Sequence, residues 1–176
     1  MPDYRRNRVP GGTYFFTVNL LDRSGTLLVT HINLLSDAVR NARARSPFHI
    51  DARVVLPEHT HCIWTLPPND DFSGRWRALK KSFTKTIPPT ERRSAVRWQR
   101  HERGTWQRRF WEHTIRDDRD YASHMDYVHF NPVKHGLVAH PAEWPFSSFH
   151  RCVAAGQYPA DWNAAGASPA DSGERR

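Results

Sequence analysis

The sequence feature that most constrains the fold is an apolar run, interrupted by a turn and resumed by two histidines, over residues 54–66. The run reads VVLPEHTHCIWTL, and the break at Pro57 and Glu58 predicts two strands that pair with each other. Because side chains alternate faces along a strand, His59 and His61 are expected on one face, roughly 6–7 Å apart. The opposite face is predicted to carry Cys62, Trp64 and Leu66.

This histidine pair has two interpretations. The ring nitrogens of His59 and His61 can converge on one divalent cation. A strand can also carry two histidines on a solvated face without any metal. The pair alone leaves both interpretations open, and the choice depends on residues further along the chain.

Composition limits the class of partner. The 176 residues include 26 Lys and Arg against 18 Asp and Glu, a formal net charge of +8, and the pI is near 10.1. Basic residues recur near the N-terminus and over residues 75–85 and 92–109, interleaved with seven tryptophans. Such a surface suits a polyanion with stackable bases, although a merely solvated basic surface has the same composition.

The two cysteines, Cys62 and Cys152, are too few for a disulfide framework and lack the spacing of a zinc ribbon. No apolar run follows the charged start, which indicates that there is no signal peptide. No stretch approaches the roughly 20 apolar residues of a membrane span. We therefore expect a cytoplasmic, nucleoid-associated protein with no membrane partner.

Local patterns predict strand, helix, two strands, helix, strand and helix, in that order. The predicted strands are 13–20, 48–56, the histidine strand and 105–115. The predicted helices are 33–45, 72–85 and a last helix. That helix begins after Asp117, its N-cap, and ends near Phe130, just before Asn131-Pro132. Residues 87–104 are predicted as a basic loop with room for one helical turn. Four strands with crossing helices indicate the α+β class, a ferredoxin-like sandwich with a four-stranded antiparallel sheet.

Two expectations concern side chains in these elements. The strand at 48–56 is predicted to turn Phe48, Ile50, Ala52 and Val54 to one face. The large aromatic residues have a spacing that suits packing more than base stacking, and we expect them in the core. These are Trp76, Phe83, Trp106 and Trp111.

We expect one domain over residues 1–163, with a basic arm at 1–12 and a C-terminal covering segment at 132–163. Residues 164–176 are small and polar, which is typical of a disordered tail.

The last predicted helix carries His124, Tyr127 and Asn131, whose spacings of three and four put them on one face. If that helix lies over the sheet, two imidazoles, an amide and a phenol meet around one cation. Taken singly, each has an ordinary interpretation: Tyr127 as a core aromatic, Asn131 as a helix-end residue and His124 as a half-buried histidine. Tyr121 falls on a different face of the helix.

The chain resembles the REP-associated tyrosine transposases, relatives of the single-tyrosine HUH transposases of small insertion sequences. The resemblance runs from Tyr4 to Trp162, through YRR, PGGTYFFTVNL, VVLPEHTHCIWTLP, DDFSGRWRALKKSFT, WQRRFWEHTIRD, DYVHFNPVKHGLV and WPFSSFHRCVAAGQYPADW. It implies a ferredoxin-like HUH endonuclease fold and metal-dependent cleavage and rejoining of single-stranded DNA. The implied substrate is a repetitive extragenic palindrome (REP), a hairpin beside a short tetranucleotide. A monomer is expected rather than a dimer of the kind that insertion-sequence relatives form, although the sequence leaves both open.

The resemblance also implies roles for individual residues. Tyr127 is the expected nucleophile, which forms a 5′-phosphotyrosine intermediate. His59, His61 and Asn131 are the expected ligands of Mg²⁺ or Mn²⁺, and His124 is a candidate auxiliary residue. Two positions depart from the family pattern: Thr60 separates the histidines where a bulky apolar residue is usual, and His129 stands where some relatives have a second tyrosine.

Contacts to DNA are expected from the N-terminal arm and from two basic segments. The candidate DNA-binding residues are Tyr4, Arg5, Arg6, Arg8, Lys80, Lys81, Lys85, Arg108 and Arg109. A catalytically idle hairpin-binding protein is the alternative function, since it would keep this basic surface. An RNA-binding module of the RRM type is disfavoured, because the aromatic signature of its strands is missing.

Overall fold

The computed structural model of the protein describes residues 7–68, 70–89 and 91–163. The strands are β1 (Thr13–Asn19), β2 (His49–Val55), β3 (His59–Thr65) and β4 (Trp111–Thr114). The helices are α1 (Leu27–Thr30), α2 (Ile32–Arg45), α3 (Phe72–Thr86), α4 (Ala95–Gln99), α5 (Asp118–Lys134) and α6 (Phe149–Ala154), with a 3₁₀ turn at Pro141–Glu143.

The four strands form one sheet in the order β2-β3-β1-β4, and every neighbouring pair is antiparallel. Helix α2 connects β1 to β2, and α3 lies between β3 and β4 in the chain, so the βαββαβ order of a ferredoxin-like fold is present. The predicted α+β sandwich is confirmed. The two histidines lie on β3, an interior strand of this sheet.

Each face of the sheet is covered by a separate apolar core. On one face, under α2 and α3, Trp64 stacks on Trp76 at 4.3 Å between ring centroids, and Cys62 joins the same core. On the other face, Phe15 and Ile63 pack against the residues of α5. Trp76, Phe83 and Trp106 are buried, as predicted, and Trp111 is partly buried against the α5 core.

The predicted face assignment of β2 was wrong for half of the strand. Pairing between β2 and β3 shifts register between Ile50 and Ala52, which leaves Asp51 as an extra residue. A bulge of this kind moves all later side chains to the other face. Phe48 and Ile50 therefore pack under α2 and α3, whereas Ala52 and Val54 pack under α5.

The end of α5 also lies beyond the predicted position. Pro132 is inside the helix, which continues to Lys134. The chain turns away from the helix at Gly136, whose φ is +67°, with hydrogen bonds from Gly136 N to Val133 O at 2.9 Å and from Leu137 N to Pro132 O at 2.9 Å. These two bonds form a Schellman motif, for which glycine is the favoured residue. The extra turn matters because it makes Asn131 and Lys134 helical residues and His135 the residue that caps the helix.

The segments on either side of β4 also differ from the prediction. The predicted strand at 105–115 is reduced to β4 and an isolated bridge between Leu20 and Trp106, because residues 107–110 leave the ladder. The preceding basic loop contains the short helix α4, for which room was expected, with Ser94 Oγ accepting from Arg97 N at 3.4 Å.

The segment after α5 extends the sheet at β2. Ser148 N donates to Arg53 O at 2.8 Å, and Trp144 Nε1 donates to Val55 O at 3.0 Å. These bonds satisfy backbone groups that an edge strand otherwise exposes. The predicted tail at 164–176 and the first half of the arm lie outside the described residues. Within the described ranges, no helix combines the length and the apolar character needed to cross a bilayer.

Candidate active site and basic groove

Helix α5 lies over the sheet face that carries the histidines. The ring of Tyr127 is 5.3 Å from the ring of His61, and the ring of His135, the residue after the helix, is 5.1 Å from that of His59. The two imidazoles are 4.9 Å apart and nearly perpendicular, at 82°. The predicted meeting of the histidine pair and the tyrosine helix is thus present in the structure.

Asn131 lies one helical turn after Tyr127 on α5. It lies four residues after Tyr127 and four before His135, so the three share one helix face. Its side chain is fully buried, and neither its amide oxygen nor its amide nitrogen has a hydrogen-bond partner in the described part of the chain. A buried amide without hydrogen-bond partners lowers the free energy of unfolding by about 1–3 kcal/mol. A ligand bound to this amide would offset that loss of stability.

Each histidine is oriented through its Nδ1 atom. Glu58 Oε1 is 2.9 Å from Nδ1 of His59, and Thr17 Oγ1 is 2.9 Å from Nδ1 of His61. Burial alone would raise the pKa of the Glu58 carboxyl, but its hydrogen bond and charge interaction with His59, aided by Arg23, lower the pKa to about 2. A histidine bonded in this way through Nδ1 presents Nε2 as its metal-binding nitrogen.

The hydroxyl of Tyr127 is in contact with a lysine. Lys134 Nζ donates to Tyr127 Oη at 3.0 Å, and the same ammonium lies 4.7 Å from the centroid of the tyrosine ring. Tyr127 itself is only 1% exposed. An ammonium in this position stabilises negative charge on the phenol oxygen.

The other tyrosine of α5 is held away from the histidines. Tyr121 Oη donates to Asp51 Oδ1, in the β2 bulge, at 3.1 Å. Burial and the Asp51 carboxylate raise the pKa of Tyr121 to about 12. His129, where some relatives have a tyrosine, is also bound elsewhere, with Nε2 at 3.0 Å from Ser148 Oγ. Tyr127 is thus the tyrosine of α5 whose ring faces His61.

His124 belongs to a different cluster from the histidine pair. Its ligand atom lies within 4.8 Å of those of His113 and Asp120, and three such groups can hold a metal ion. Strand β4, which carries His113, and strand β3, which carries His61, flank β1 on opposite sides. The ring of Phe15 on β1 contacts both His61 and His124.

The geometry of this second cluster also fits a hydrogen-bonded arrangement. Asp120 Oδ2 is 2.8 Å from His113 Nε2, and the two imidazoles stack at 4.7 Å and 14°. Parallel stacked rings cannot both direct a nitrogen lone pair at one ion without rotating. Burial alone would raise the pKa of Asp120, but its bonds to His113 and the Arg116 backbone, together with both histidine charges, lower it to about 2.

Four of the predicted DNA-binding cations line one groove, between α3 and the segment before β4. They are Lys80, Lys81, Lys85 and Arg108, and the groove has a volume of about 630 Å³. Lys80 Nζ donates to Gln107 O at 2.9 Å. Arg109 is exposed but is not a lining residue, and Arg8 pairs with Asp71 at 3.4 Å. Tyr4, Arg5 and Arg6 lie outside the described residues.

Sequence reasoning missed three residues of the site. Lys134 was hidden by the expected helix end at Phe130, although its spacing of seven from Tyr127 places both on one helix face. Glu58 was interpreted only as a turn residue, and His135 was not considered. A histidine one turn after Asn131 and a carboxylate directly before the first histidine were the available signals.

Comparison with known proteins agrees with this geometry. A REP-associated tyrosine transposase of Escherichia coli K12 is 50% identical over 163 residues, covering 92% of this chain and 91% of the relative. A Haemophilus influenzae protein assigned to the same family is 46% identical over 164 residues, covering 92% and 93%. A solved structure of a REP-associated tyrosine transposase bound to a REP hairpin has a TM-score of 0.86 and 48% identity, and covers 100% of this chain and 99% of that one. No family model matches the sequence.

The fold and these relatives define the class of protein: it is a tyrosine transposase, an enzyme with a four-stranded α+β sandwich. Within that class, identity of about one half over nearly the whole length is decisive. The chain belongs to the REP-associated tyrosine transposases.

Proposed function

We propose that this transposase is a metal-dependent endonuclease and strand transferase of single-stranded DNA, which recognises REP hairpins and works through a 5′-phosphotyrosine. The observation that carries the proposal is the contact of Tyr127 with His61, 5.3 Å between ring centroids, together with the buried amide of Asn131 one helical turn later, which has no hydrogen-bond partner among the described residues. A nucleophile, two imidazoles and an oxygen ligand then share one small site.

The donor set fits a divalent cation. His59, His61 and Asn131 supply two imidazole nitrogens and a carbonyl oxygen, a mixed set that Mn²⁺ accepts well and Mg²⁺ accepts with more water. When bound, such an ion acts as a Lewis acid on the scissile phosphate and holds it in place. The cluster of His113, Asp120 and His124 is the alternative metal position. When His59, His61 and Asn131 hold the ion, His124 has an auxiliary role.

The residues of this chain then carry the chemistry. The Tyr127 hydroxyl gives its proton to water and its oxygen attacks phosphorus. As the new P–O bond forms, the bond from phosphorus to the 3′ oxygen of the leaving strand breaks, and that oxygen takes up a proton from water. The Lys134 ammonium, 3.0 Å from that oxygen, stabilises its negative charge in both directions of the reaction. The leaving strand keeps a 3′-hydroxyl, and attack by such a hydroxyl on the phosphotyrosine rejoins DNA without ATP.

Recognition of the hairpin belongs to the basic surface. We assign phosphate contacts to Lys80, Lys81, Lys85, Arg108 and Arg109, and contacts to the flanking tetranucleotide to the arm with Tyr4, Arg5, Arg6 and Arg8. Phosphate binding by these cations is strongly salt-dependent. A protein with this substrate would work as a monomer on the genomic DNA, in the cytoplasm at the nucleoid.

The test is cleavage of end-labelled, single-stranded palindrome DNA from the host genome, with Mn²⁺ or Mg²⁺. We expect a covalent protein–DNA adduct with the wild type, none after chelation, and none with Tyr127→Phe, which still binds the hairpin. Tyr121→Phe is the matched control, because it removes a phenol from the same helix, and its adduct should form as in the wild type.

Each other outcome has a definite meaning. An adduct that still forms with Tyr127→Phe but not with Tyr121→Phe would assign the nucleophile to Tyr121. Tight hairpin binding without an adduct, in every metal tested, would replace the enzyme by the idle hairpin-binding protein.

A further inference from the structure

The loop that precedes β4 exposes a tryptophan that the site above does not use. Trp98 on α4 is 64% exposed, and Val96 on the same short helix is 52% exposed. The other tryptophans described so far lie in or against the two cores. Packing in a core therefore does not explain why this indole lies at the surface among arginines.

The loop that holds Trp98 is fixed to the body of the protein. The guanidinium of Arg103 donates to the carbonyl oxygens of Thr84, Ile87 and Pro88, and it pairs with the Glu91 carboxylate. These bonds connect both ends of the loop to the end of α3. Side-chain hydrogen bonding and charge from Glu91 raise the pKa of Arg103, so this connection persists at any physiological pH.

Trp98 is not itself a lining residue of the basic groove, but residues next to it in the chain are. Its chain neighbour Arg97 and the nearby His101 both line the groove, and His101 N donates to Trp98 O at 3.2 Å. The guanidinium of Arg93 lies 4.9 Å from the centroid of the indole. The groove itself contains seven Lys and Arg side chains and, among its described lining residues, one carboxylate, that of Glu102.

The groove also reaches the end of the sheet that carries the histidine pair. Asn19 on β1 pairs with His59 on one side, and its carbonyl accepts from Gln107 N, in the groove wall, at 3.0 Å on the other. One DNA molecule could thus contact the groove on one face of the sheet and the histidine site on the other.

We infer that Trp98 and the basic groove form a binding surface for unpaired DNA, in which the cations follow the phosphates and the indole stacks on a base. The inference rests on the proposed action on DNA hairpins: the cations assigned above to hairpin phosphates follow the same backbone into its unpaired part, where Trp98 supplies the contact to a base. Cationic grooves combined with exposed aromatic side chains are the general means of holding single strands, and base stacking tolerates any sequence. Charge complementarity with a polyanion favours this occupant over an apolar peptide.

The experiment measures binding by fluorescence anisotropy, without metal, in a Tyr127→Phe background so that no covalent capture occurs. The probes are an oligothymidylate, an abasic strand of the same length, and a blunt duplex. We expect the parent protein to prefer the oligothymidylate to the abasic strand. Trp98→Ala should weaken oligothymidylate binding by between about 5- and 150-fold, the range for one stacked base, and leave the abasic strand and the duplex unchanged.

Matched variants separate stacking from charge and from folding. Val96→Ala, on the same helix, should bind all probes as the parent does, and Trp98→Phe should restore most of the lost affinity because it keeps an aromatic face. Arg97→Gln should weaken all probes alike and reduce the slope of log affinity against log salt by about one, whereas Trp98→Ala should leave that slope unchanged.

The inference is overturned if the parent does not distinguish the oligothymidylate from the abasic strand, or if Trp98→Ala weakens both equally. These measurements need neither metal nor cleavage. The binding role of this surface can therefore be refuted while Tyr127-dependent adducts still form. It can also be supported when no adduct forms.

Discussion

Lys134 and Tyr127 are linked twice: the lysine ammonium donates to the phenol oxygen at 3.0 Å and also lies 4.7 Å from the ring centroid. Both contacts exist because α5 continues through Pro132 for another turn. The lysine is thus placed to act on charge at the proposed nucleophile, and not only on DNA phosphates.

Replacing this lysine should slow the chemical step. Lys134→Met removes the charge that stabilises the Tyr127 phenolate in the proposed reaction, both as it attacks in cleavage and as it leaves in rejoining, and we expect single-turnover cleavage to fall by roughly 10²-fold. Hairpin affinity should change far less. The control is Lys81→Met, an exposed lysine in the groove, which should weaken binding and leave the rate at saturating DNA unchanged. Equal rates for Lys134→Met and the wild type would exclude this role.

We expect the Asn131 side chain to lower the stability of the fold and to be needed for activity. Its amide is buried without hydrogen bonds in the described part of the chain, so Asn131→Leu, similar in volume, should hold or raise the free energy of unfolding, by up to about 1–3 kcal/mol. Metal-dependent cleavage should be lost, because the carbonyl oxygen is gone. Urea unfolding and adduct formation measure the two effects. A variant that is strongly destabilised would indicate that the amide is needed for folding.

Glu58 should make the stability depend on pH at acid values. Its pKa is lowered to about 2 from the usual 4.5, so the carboxylate contributes stability above pH 4.5, and this contribution disappears as the pH falls through about 2. Glu58→Gln should therefore be less stable than wild type at neutral pH, and the difference should vanish near pH 2. Unfolding midpoints measured across this range test the sign. A difference that grows in acid would refute it.

The two candidate metal positions can be told apart by direct binding. We expect His61→Ala to abolish high-affinity Mn²⁺ binding, measured by electron paramagnetic resonance of the free ion. His113→Ala should bind Mn²⁺ as the wild type does, because its stacked, hydrogen-bonded ring is satisfied without a metal. The reverse pattern would assign the ion to His113, Asp120 and His124.

The sequence predicted those parts of the fold that depend on local periodicity. Two-residue alternation on β3 set the positions of His59 and His61, and the N-cap at Asp117, which accepts from Asp120 N at 2.8 Å, gave the start of α5. Tertiary effects decided the rest. The bulge at Asp51 reversed the later side chains of β2, since register depends on the partner strand.

The end of α5 shows why the candidate site was only partly predictable. A proline was taken as the stop, but a buried Pro132 costs the helix one hydrogen bond, and the packing around it tolerates that loss. The actual stop was Gly136. Because of this shift, Lys134 and His135 went unnoticed, whereas Tyr127 and Asn131, which precede the proline, were identified.

The sheet separates the two thiols of this chain, since Cys62 is buried under α2 and α3 and Cys152 on the α5 side. Burial raises the pKa of both groups, so alkylation requires local opening of the layer that covers each. The protein therefore carries one chemical reporter per layer. Comparing the two labelling rates with and without DNA would reveal which side of the molecule becomes more rigid when the transposase binds its substrate.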